Sequence, residues 1–244
     1  MSAALNALLH RIGLDFQLGR FPAFESLGYY LERLDIKAVI DVGANEGQFA
    51  EKLRQHGFRG RIISFEPQQS TFAILQAKAS RDPSWECHPL ALGDTNGTSV
   101  LHVSKNSVLS SLLKVSAGAG DIGYGAEPVA NETITVKTLD TVWPTLHCAG
   151  QRTLLKIDTH GFDLAVLRGA AASLPHIQAI QLEVPLRSMY DDQPAIGQML
   201  PVLRGLGFHL VELAKVCRAE GAGELLEMDG LFLRAGQEPT PAAK

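Results

Sequence analysis

Short runs of β-branched residues alternate with amphipathic segments of helical length along this sequence, and this alternation constrains the fold more than any other feature. Runs of strand character cover residues 38–42, 61–65, 85–92, 153–157, 177–184, 208–213 and 231–233. Segments with helical spacing of apolar residues lie among them at 47–56, 69–79, 162–174 and 195–206. Strands separated by helices indicate βαβ units, so the sequence predicts an α/β fold with a mostly parallel sheet.

The chain predicts one α/β domain with a helical extension before it. We expect helices within residues 1–36, the α/β domain at residues 37–234 and a disordered tail at residues 235–244. A Ser- and Gly-rich stretch at residues 104–127 interrupts the alternation between two further candidate strands. Long inserts in compact domains are often functional, so we expect a mobile lid here.

Charge and composition argue against several classes of protein. The 22 basic residues are outnumbered by 26 acidic ones, which argues against nucleic acid as the main partner because phosphate binding needs a basic surface. Cys87, Cys148 and Cys217 are too widely spaced for a disulfide framework or a zinc motif. No apolar run approaches the roughly 18–20 residues that cross a bilayer, and the first residues lack the pattern of a secretory signal. We expect a cytoplasmic protein, with a homodimer possible.

The turn after the first predicted strand carries the strongest functional signal. Asp41 lies near the end of that strand, and Gly43, Asn45 and Gly47 follow before a predicted helix. The glycines permit a tight turn and the close approach of a ligand, and open α/β sheets bind nucleotide-like ligands at this edge. Glu66 follows the second strand, where an acid can accept both ribose hydroxyls of an adenosine.

The charge of this turn discriminates between nucleotides. Dinucleotides bind their pyrophosphate on a GxGxxG turn, whereas this turn has GxxxG spacing with Asp41 beside it. A carboxylate repels pyrophosphate and attracts the ammonium and sulfonium groups of S-adenosylmethionine. An ordinary βα turn with two solvated acids is the alternative.

A series of short blocks along the chain resembles the FkbM family, S-adenosylmethionine-dependent methyltransferases of the class I Rossmann-like fold. The blocks are residues 39–47, 64–67, 91–94, 138–140, 155–161, 182–183 and 229–232. The resemblance covers roughly residues 37–234 and implies a seven-stranded, mostly parallel sheet with an antiparallel last strand. It also implies methyl transfer to an oxygen, characteristically a hydroxyl of a sugar, glycolipid or polyketide.

The resemblance also implies roles for individual residues. The first turn is expected to line the methionine part of the cofactor, and its candidate residues are Asp41, Gly43, Asn45 and Gly47. Glu66 matches the acid that holds the ribose, and Ala91 and Leu92 are expected to flank the adenine.

The sequence departs from the family pattern after the fourth parallel strand. Family members usually carry Asp-x-Glu-Gly there, and this chain has Asp158, Thr159, His160 and Gly161. Methyl transfer to an alcohol releases a proton, and the ordinary pKa of histidine suits it to accept that proton at neutral pH. We therefore predict His160 as the general base, with Asp158 orienting it or acting in its place. A role in packing or capping the following helix is the alternative for His160.

Glu183, Tyr190 and Ser111 are predicted to bind the acceptor. Glu183 ends the fifth strand, Tyr190 lies in the segment after it, and Ser111 lies in the Ser- and Gly-rich insert. For each, a solvated strand end or loop is the alternative. Asp158 and His160, with Glu183 or Asp229, are also residue types that Mg²⁺ or Mn²⁺ accepts. Because their spacing in the sequence is unspecific, a divalent metal is possible but not favoured.

Three functions are compatible with these features. The leading hypothesis is an S-adenosylmethionine-dependent O-methyltransferase that acts on a small-molecule or glycan acceptor. An NAD-dependent oxidoreductase would need GxGxxG in the turn after the first strand, where this sequence has GxxxG spacing, and Asp41 weighs against it. A non-catalytic family member that binds S-adenosylmethionine is kept because His160 replaces the usual glutamate.

Overall fold

The computed structural model describes residues 23–116, 128–218 and 225–236. Most of the expected helical extension (residues 1–22), part of the expected lid (residues 117–127) and the expected tail (residues 237–244) lie outside the described residues. The side chain of Cys217 is also not described.

The secondary structure follows the alternation expected from the sequence. The helices are α1 Ala23–Arg33, α2 Gln48–Gln55, α3 Gln69–Ala79, α4 Leu139–Val142, α5 Asp163–Arg168 and α6 Ile196–Gly205. The strands are β1 Ala38–Val42, β2 Arg61–Phe65, β3 Trp85–His88, β4 Ala91–Leu92, β5 Gly97–Ser104, β6 Pro128–Lys137, β7 Thr153–Ile157, β8 Ile177–Pro185, β9 Phe208–Arg218 and β10 Leu225–Arg234.

Seven of these strands form one sheet in the order β3-β2-β1-β7-β8-β10-β9. β10 is antiparallel to both of its neighbours, whereas β1, β2, β3, β7 and β8 pair in parallel. The predicted seven-stranded, mostly parallel sheet with an antiparallel last strand is therefore confirmed. The strand order reverses direction between β1 and β7, and the carboxyl ends of strands at such a switch point form a ligand crevice.

The central strands are buried on both faces. All five residues of β1 and all five of β7 are buried. In β1, Ala38, Ile40 and Val42 contribute to one apolar layer, and Val39 contributes to the layer on the opposite face. Because side chains alternate along a strand, Asp41 lies on the same face as Val39, beneath the turn that leads into α2.

The third predicted strand, residues 85–92, is two strands in the structure. β3 pairs with β2 in the main sheet, and β4 pairs with β6 in a three-stranded sheet of order β4-β6-β5. Pro89 lies between them, and a proline has no N–H with which to continue a strand ladder. The break directs the chain from one sheet to the other.

The helix predicted over residues 162–174 is shorter in the structure, because α5 ends at Arg168. A Cβ atom on the next residue, Gly169, would lie 1.9 Å from the carbonyl oxygen of Gly93. This close approach of two backbones joins the main sheet to the smaller one.

No helix within the described ranges is long and apolar enough to span a membrane.

We predict that the close contact at Gly43 makes it less replaceable than another glycine of similar conformation. Gly43 and Gly57 both have positive φ, at 73° and 90°. A Cβ atom on Gly43 would lie 1.9 Å from the Asp158 carbonyl oxygen, whereas one on Gly57 would meet nothing within 4 Å. The free energy of unfolding of the G57A variant should fall by only about 1–2 kcal/mol, because alanine is strained in a left-handed backbone conformation. That of the G43A variant should fall clearly more, because β1 and β7 must also separate.

Urea denaturation of the two variants measures the difference in the free energy of unfolding. Equal losses in G43A and G57A would show that the junction between β1 and β7 is not tightly constrained.

Candidate active site

A cavity of about 540 Å³ lies at the carboxyl ends of the central strands. This volume is within the range of small-molecule sites, about 300–1,000 Å³. Its walls come from the turn after β1, the ends of β2, β7, β8 and β10, and the segment after β5. The polar residues of these walls include Asn45, Glu66, Gln68, Asn106, Ser111, Lys156, Asp158, His160, Gln181, Glu183, Tyr190, Glu227 and Asp229.

Glu66 fixes one end of the cavity. Its two carboxylate oxygens accept hydrogen bonds from the backbone N–H groups of Asn45, at 2.9 Å, and of Gln68, at 2.7 Å. These bonds favour the charged form, but burial outweighs them and raises the pKa of Glu66 to about 7. The turn after β1 and the end of β2 are thereby joined through one carboxylate.

The cofactor residues predicted from sequence do not all reach the cavity. Gly43, Asn45 and Glu66 line it, as do Ala91 and Leu92. Gly47 instead lies against the core, because a Cβ atom there would be 2.7 Å from the ring of Trp85.

Asp41 is the main departure from the expected charge distribution. Its side chain is fully buried, and Lys156 Nζ lies 3.0 Å from its Oδ1 atom. Lys156 also lies 3.2 Å from Asp158 Oδ2 and donates a hydrogen bond to the Gly43 carbonyl oxygen at 3.3 Å. The negative charge of Asp41 is therefore compensated within the protein and is not directed at a ligand, in contrast to the sequence-based argument.

Lys156 was not given a role by the sequence reasoning, although the pattern contained the signal. β1 and β7 pair in parallel with Asp41 opposite Lys156, and residues two apart on a strand share a face. Lys156 and Asp158 must then point to the same side as Asp41. A lysine within a buried strand, two residues before an acid at its end, indicates such an ion group.

His160 lies between two carboxylates. Its Nδ1 atom is 3.2 Å from Glu183 Oε2, and its Nε2 atom is 3.6 Å from Asp158 Oδ1. One atom each of Asp158, His160 and Glu183 lies within 4.8 Å of the others, so the three residues could hold a metal ion. We call these three residues the acid–histidine cluster.

The surroundings of His160 change the role predicted for it. Burial lowers its pKa, but the charges of Glu183 and Asp158 outweigh burial and raise it to about 10. A pKa this high favours a protonated imidazole at neutral pH, which weighs against the predicted role of His160 as general base. The carboxylates of the cluster are better proton acceptors.

Two more acids on β10 line the same end of the cavity. Glu227 was missed by the sequence reasoning, whereas Asp229 was considered as a possible metal ligand. Burial raises the pKa of Glu227 to about 8 and that of Asp229 to about 6. β10 pairs with β8 so that Asp229 lies opposite Glu183. The antiparallel return of the last strand brings both acids to the site.

The segment after β5 closes one side of the cavity and is tied to the cluster. The Ser111 hydroxyl donates to the His160 carbonyl oxygen at 2.9 Å. Tyr190 donates from its hydroxyl to the Leu109 carbonyl oxygen at 3.1 Å, and its ring stacks on that of His160 at 6.0 Å. Ser111 and Tyr190 thus line the cavity and hold this wall in position, and their role in binding an acceptor stays a prediction.

The backbone at the end of β7 has an uncommon conformation. His160 has a φ of 49° and Gly161 a φ of 97°, so both are left-handed. Few residues other than glycine adopt this region without strain, and histidine is among those enriched there. The turn directs the His160 ring back toward β8, where Glu183 is located.

Comparisons with known proteins agree with the fold. The model of the FkbM methyltransferase domain matches residues 41–210. Among solved structures, the chain is similar to a methyltransferase FkbM from Methylobacillus flagellatus KT, with 13% identity and a TM-score of 0.50 over 82% of this chain and 44% of that one. This chain therefore spans less than half the length of that protein. No curated protein sequence matches it.

Two further solved structures show weaker similarity. Magnesium protoporphyrin IX methyltransferase from Synechocystis PCC 6803, solved with S-adenosylmethionine, has 11% identity and a TM-score of 0.48 over 87% of this chain and 78% of that one. A 1,6-didemethyltoxoflavin-N1-methyltransferase from Burkholderia thailandensis, solved with S-adenosylhomocysteine, has 11% identity and a TM-score of 0.46 over 95% of this chain and 86% of that one.

We predict that Lys156 is required for stability because of the buried acids around it. K156M leaves Asp41 as an uncompensated buried charge, which typically costs about 3–5 kcal/mol. Adding D41N removes that charge, so the double variant should be more stable than the sum of the two single losses implies. Urea denaturation of the four proteins in this cycle gives the coupling energy. Additive losses would mean that Asp41 and Lys156 do not stabilise each other.

We predict that ligand binding at the Glu66 end depends on pH. With a folded pKa of about 7, the carboxyl is mostly protonated at pH 6 and mostly ionised at pH 8. If the ionised form binds ribose hydroxyls, the affinity for S-adenosylhomocysteine should rise about tenfold between these values. Calorimetry should show that rise in the wild type and a flat, weaker profile in E66Q. A rise that persists in E66Q would assign the pH dependence to another group.

Proposed function

This chain belongs to the FkbM methyltransferase family, and we propose that it transfers a methyl group from S-adenosylmethionine to a hydroxyl of a sugar, glycolipid or related metabolite. Residues 37–234 would form the methyl-transfer domain. The observation that carries the proposal is that one cavity joins the Glu66 end, suited to an adenosine, to an end rich in carboxylates.

The Glu66 end has the chemistry that S-adenosylmethionine requires. The Glu66 carboxylate is anchored by two backbone N–H groups, which leaves acceptor capacity for ribose hydroxyls. Ala91 and Leu92 supply apolar surface for the adenine, and Gly43 and Asn45 border the region for the methionine part. When bound, S-adenosylmethionine supplies an electrophilic methyl group on a positively charged sulfur.

The other end has the chemistry that favours a hydroxyl-bearing acceptor. Asp158, Glu183, Glu227 and Asp229 all border this end, and carboxylates accept hydrogen bonds from hydroxyl groups. The same charges disfavour acceptors that carry a phosphate or a carboxylate close to the reacting atom. Sugars and other neutral polyols match both conditions.

The reaction releases a proton, and the acids at the acceptor end can accept it. As the acceptor oxygen forms its bond to the methyl carbon, the carbon–sulfur bond breaks, the sulfur keeps the electron pair, and the hydroxyl proton must leave. In our proposal a carboxylate at the acceptor end takes that proton, and a positioned base of this kind contributes about 10²–10⁴-fold to the rate. His160 holds Asp158 and Glu183 in position and does not take the proton itself.

Family membership and the ability to transfer a methyl group distinguish the proposed function from its two alternatives. Membership in a methyltransferase family weighs against the NAD-dependent oxidoreductase. A non-catalytic member would bind S-adenosylhomocysteine and yet transfer no methyl group to any acceptor.

The test combines binding with transfer of a labelled methyl group. Calorimetry should detect S-adenosylhomocysteine and not NAD. Incubation with methyl-labelled S-adenosylmethionine and a panel of glycosides, glycolipids and polyols should yield an O-methyl ether, identified by mass spectrometry. E183Q should lower kcat by about 10²-fold or more, as for the loss of a positioned acid or base, with little change in affinity for S-adenosylhomocysteine.

The matched control is E32Q, which makes the same chemical change at an exposed residue of α1 and should behave as the wild type. Transfer to nitrogen or sulfur, or binding of NAD in place of S-adenosylhomocysteine, would contradict the proposal.

A further inference from the structure

The acid–histidine cluster contains buried polar atoms that lack hydrogen-bond partners. These atoms are Asp158 Oδ1, His160 Nδ1 and Glu183 Oε2. Glu183 is only 7% exposed. Their nearest polar neighbours are one another, in ion pairs of 3.2 and 3.6 Å on either side of His160, so the carboxylate oxygens keep acceptor capacity that a bound cation can use.

The three residues lie close enough together to contact one small divalent ion. His160 Nδ1 and Glu183 Oε2 are 3.2 Å apart. The 3.6 Å approach to Asp158 Oδ1 is made by the opposite ring nitrogen, Nε2, so one ion can contact only one of the two nitrogens. Neighbouring ligands of an octahedral ion, each at about 2.0–2.1 Å from it, are roughly 3 Å apart. One atom from each residue already lies within 4.8 Å of the other two, a difference that side-chain rotation can take up.

The surrounding charge also favours a cation. Glu227 and Asp229 border the same cavity end, and the nearby cation Lys156 is already engaged by Asp41 and Asp158. The carboxylates at this end outnumber its two cations, Lys156 and His160. The backbone around His160 is held by the hydrogen bond from Ser111, so the cluster is positioned before any ion arrives.

From these observations we propose that Asp158, His160 and Glu183 bind a divalent cation of the Mg²⁺ or Mn²⁺ type. Two carboxylates and one imidazole form a mainly oxygen ligand set, which these ions accept. A ligating imidazole must be neutral, so an ion bound here displaces the proton that His160 otherwise carries. The sequence spacing alone did not favour a metal, and it is the three-dimensional arrangement that does.

A role for the ion in catalysis rests on the proposed function. Three protein ligands leave positions open for oxygens of the acceptor, and a bound cation lowers the pKa of a hydroxyl that it contacts. The acceptor oxygen then bonds to the methyl carbon, the carbon–sulfur bond breaks, and the hydroxyl proton passes to Asp229, which is not a ligand. The ion would thus make the acceptor oxygen a better nucleophile.

The experiment uses the full chain, stripped with a chelator and titrated with Mn²⁺. Calorimetry and the loss of the free-Mn²⁺ electron paramagnetic resonance signal should both show one saturable site per chain. D158N and E183Q should each weaken Mn²⁺ binding by about 10- to 100-fold or more, a range set by losses seen even for residues that only support ligands. Mg²⁺ should compete for the same site.

The matched control is D229N, which removes one charge from the same cavity end but no proposed ligand. Its affinity for Mn²⁺ should stay within about threefold of the wild type. Thermal unfolding of the metal-free variants checks that each is folded.

Three outcomes would overturn the site. These are the absence of saturable Mn²⁺ binding, equal weakening in D229N and E183Q, and full binding in folded D158N and E183Q proteins. The first would mean that His160 simply bridges the two carboxylates as an imidazolium, and the second would mean diffuse attraction by charge.

The experiments can contradict the proposed function and the metal site independently of each other. Full methyl transfer in excess chelator, with one Mn²⁺ site present, would remove the catalytic role of the ion and leave both the site and the methyltransferase. One Mn²⁺ site without methyl transfer to any hydroxyl would support the site and overturn the proposed function.

Discussion

The buried ion group of Asp41, Lys156 and Asp158 is the interaction on which the rest of the site depends. It lies where β1 and β7 run side by side, at the point where the order of strands in the sheet reverses. One ammonium group compensates two carboxylates there. Because its proton is held between two acids, the pKa of Lys156 is raised further above its usual value. The positive charge of Lys156 is therefore permanent.

The fold was predictable from the sequence because it depends on patterns of burial. The alternation of strands and helices and the order of the family blocks were sufficient for the seven-stranded sheet, which the structure confirms, as the FkbM domain match confirms the family. The exceptions have local causes. Pro89 divides one predicted strand between two sheets, and the close approach of Gly169 to Gly93 goes with an early end to α5.

The ionisation states of the site residues were less predictable, because the charge of a side chain depends on neighbours that are distant in sequence. The strand-end residues Gly43, Glu66, Asp158 and Glu183 line the cavity, and their roles there stay predictions. The charge states of Asp41 and His160 were less predictable, since they depend on Lys156 and Glu183. Glu227 reaches the same cavity end only through the antiparallel pairing of β10, which no short motif specifies. Sequence reasoning thus gives the positions of such groups better than it gives their charge states.

The left-handed backbone at His160 has a consequence for protein engineering. Attempts to broaden the range of acceptors would naturally randomise the residues that surround the cluster. Glu183 and Glu227 lie on extended strands, where most side chains are tolerated by the backbone. Position 160, with its positive φ, accepts glycine, asparagine and aspartate readily and excludes β-branched residues. A library at that position would therefore sample a few small polar replacements, while position 227 offers wider chemical diversity.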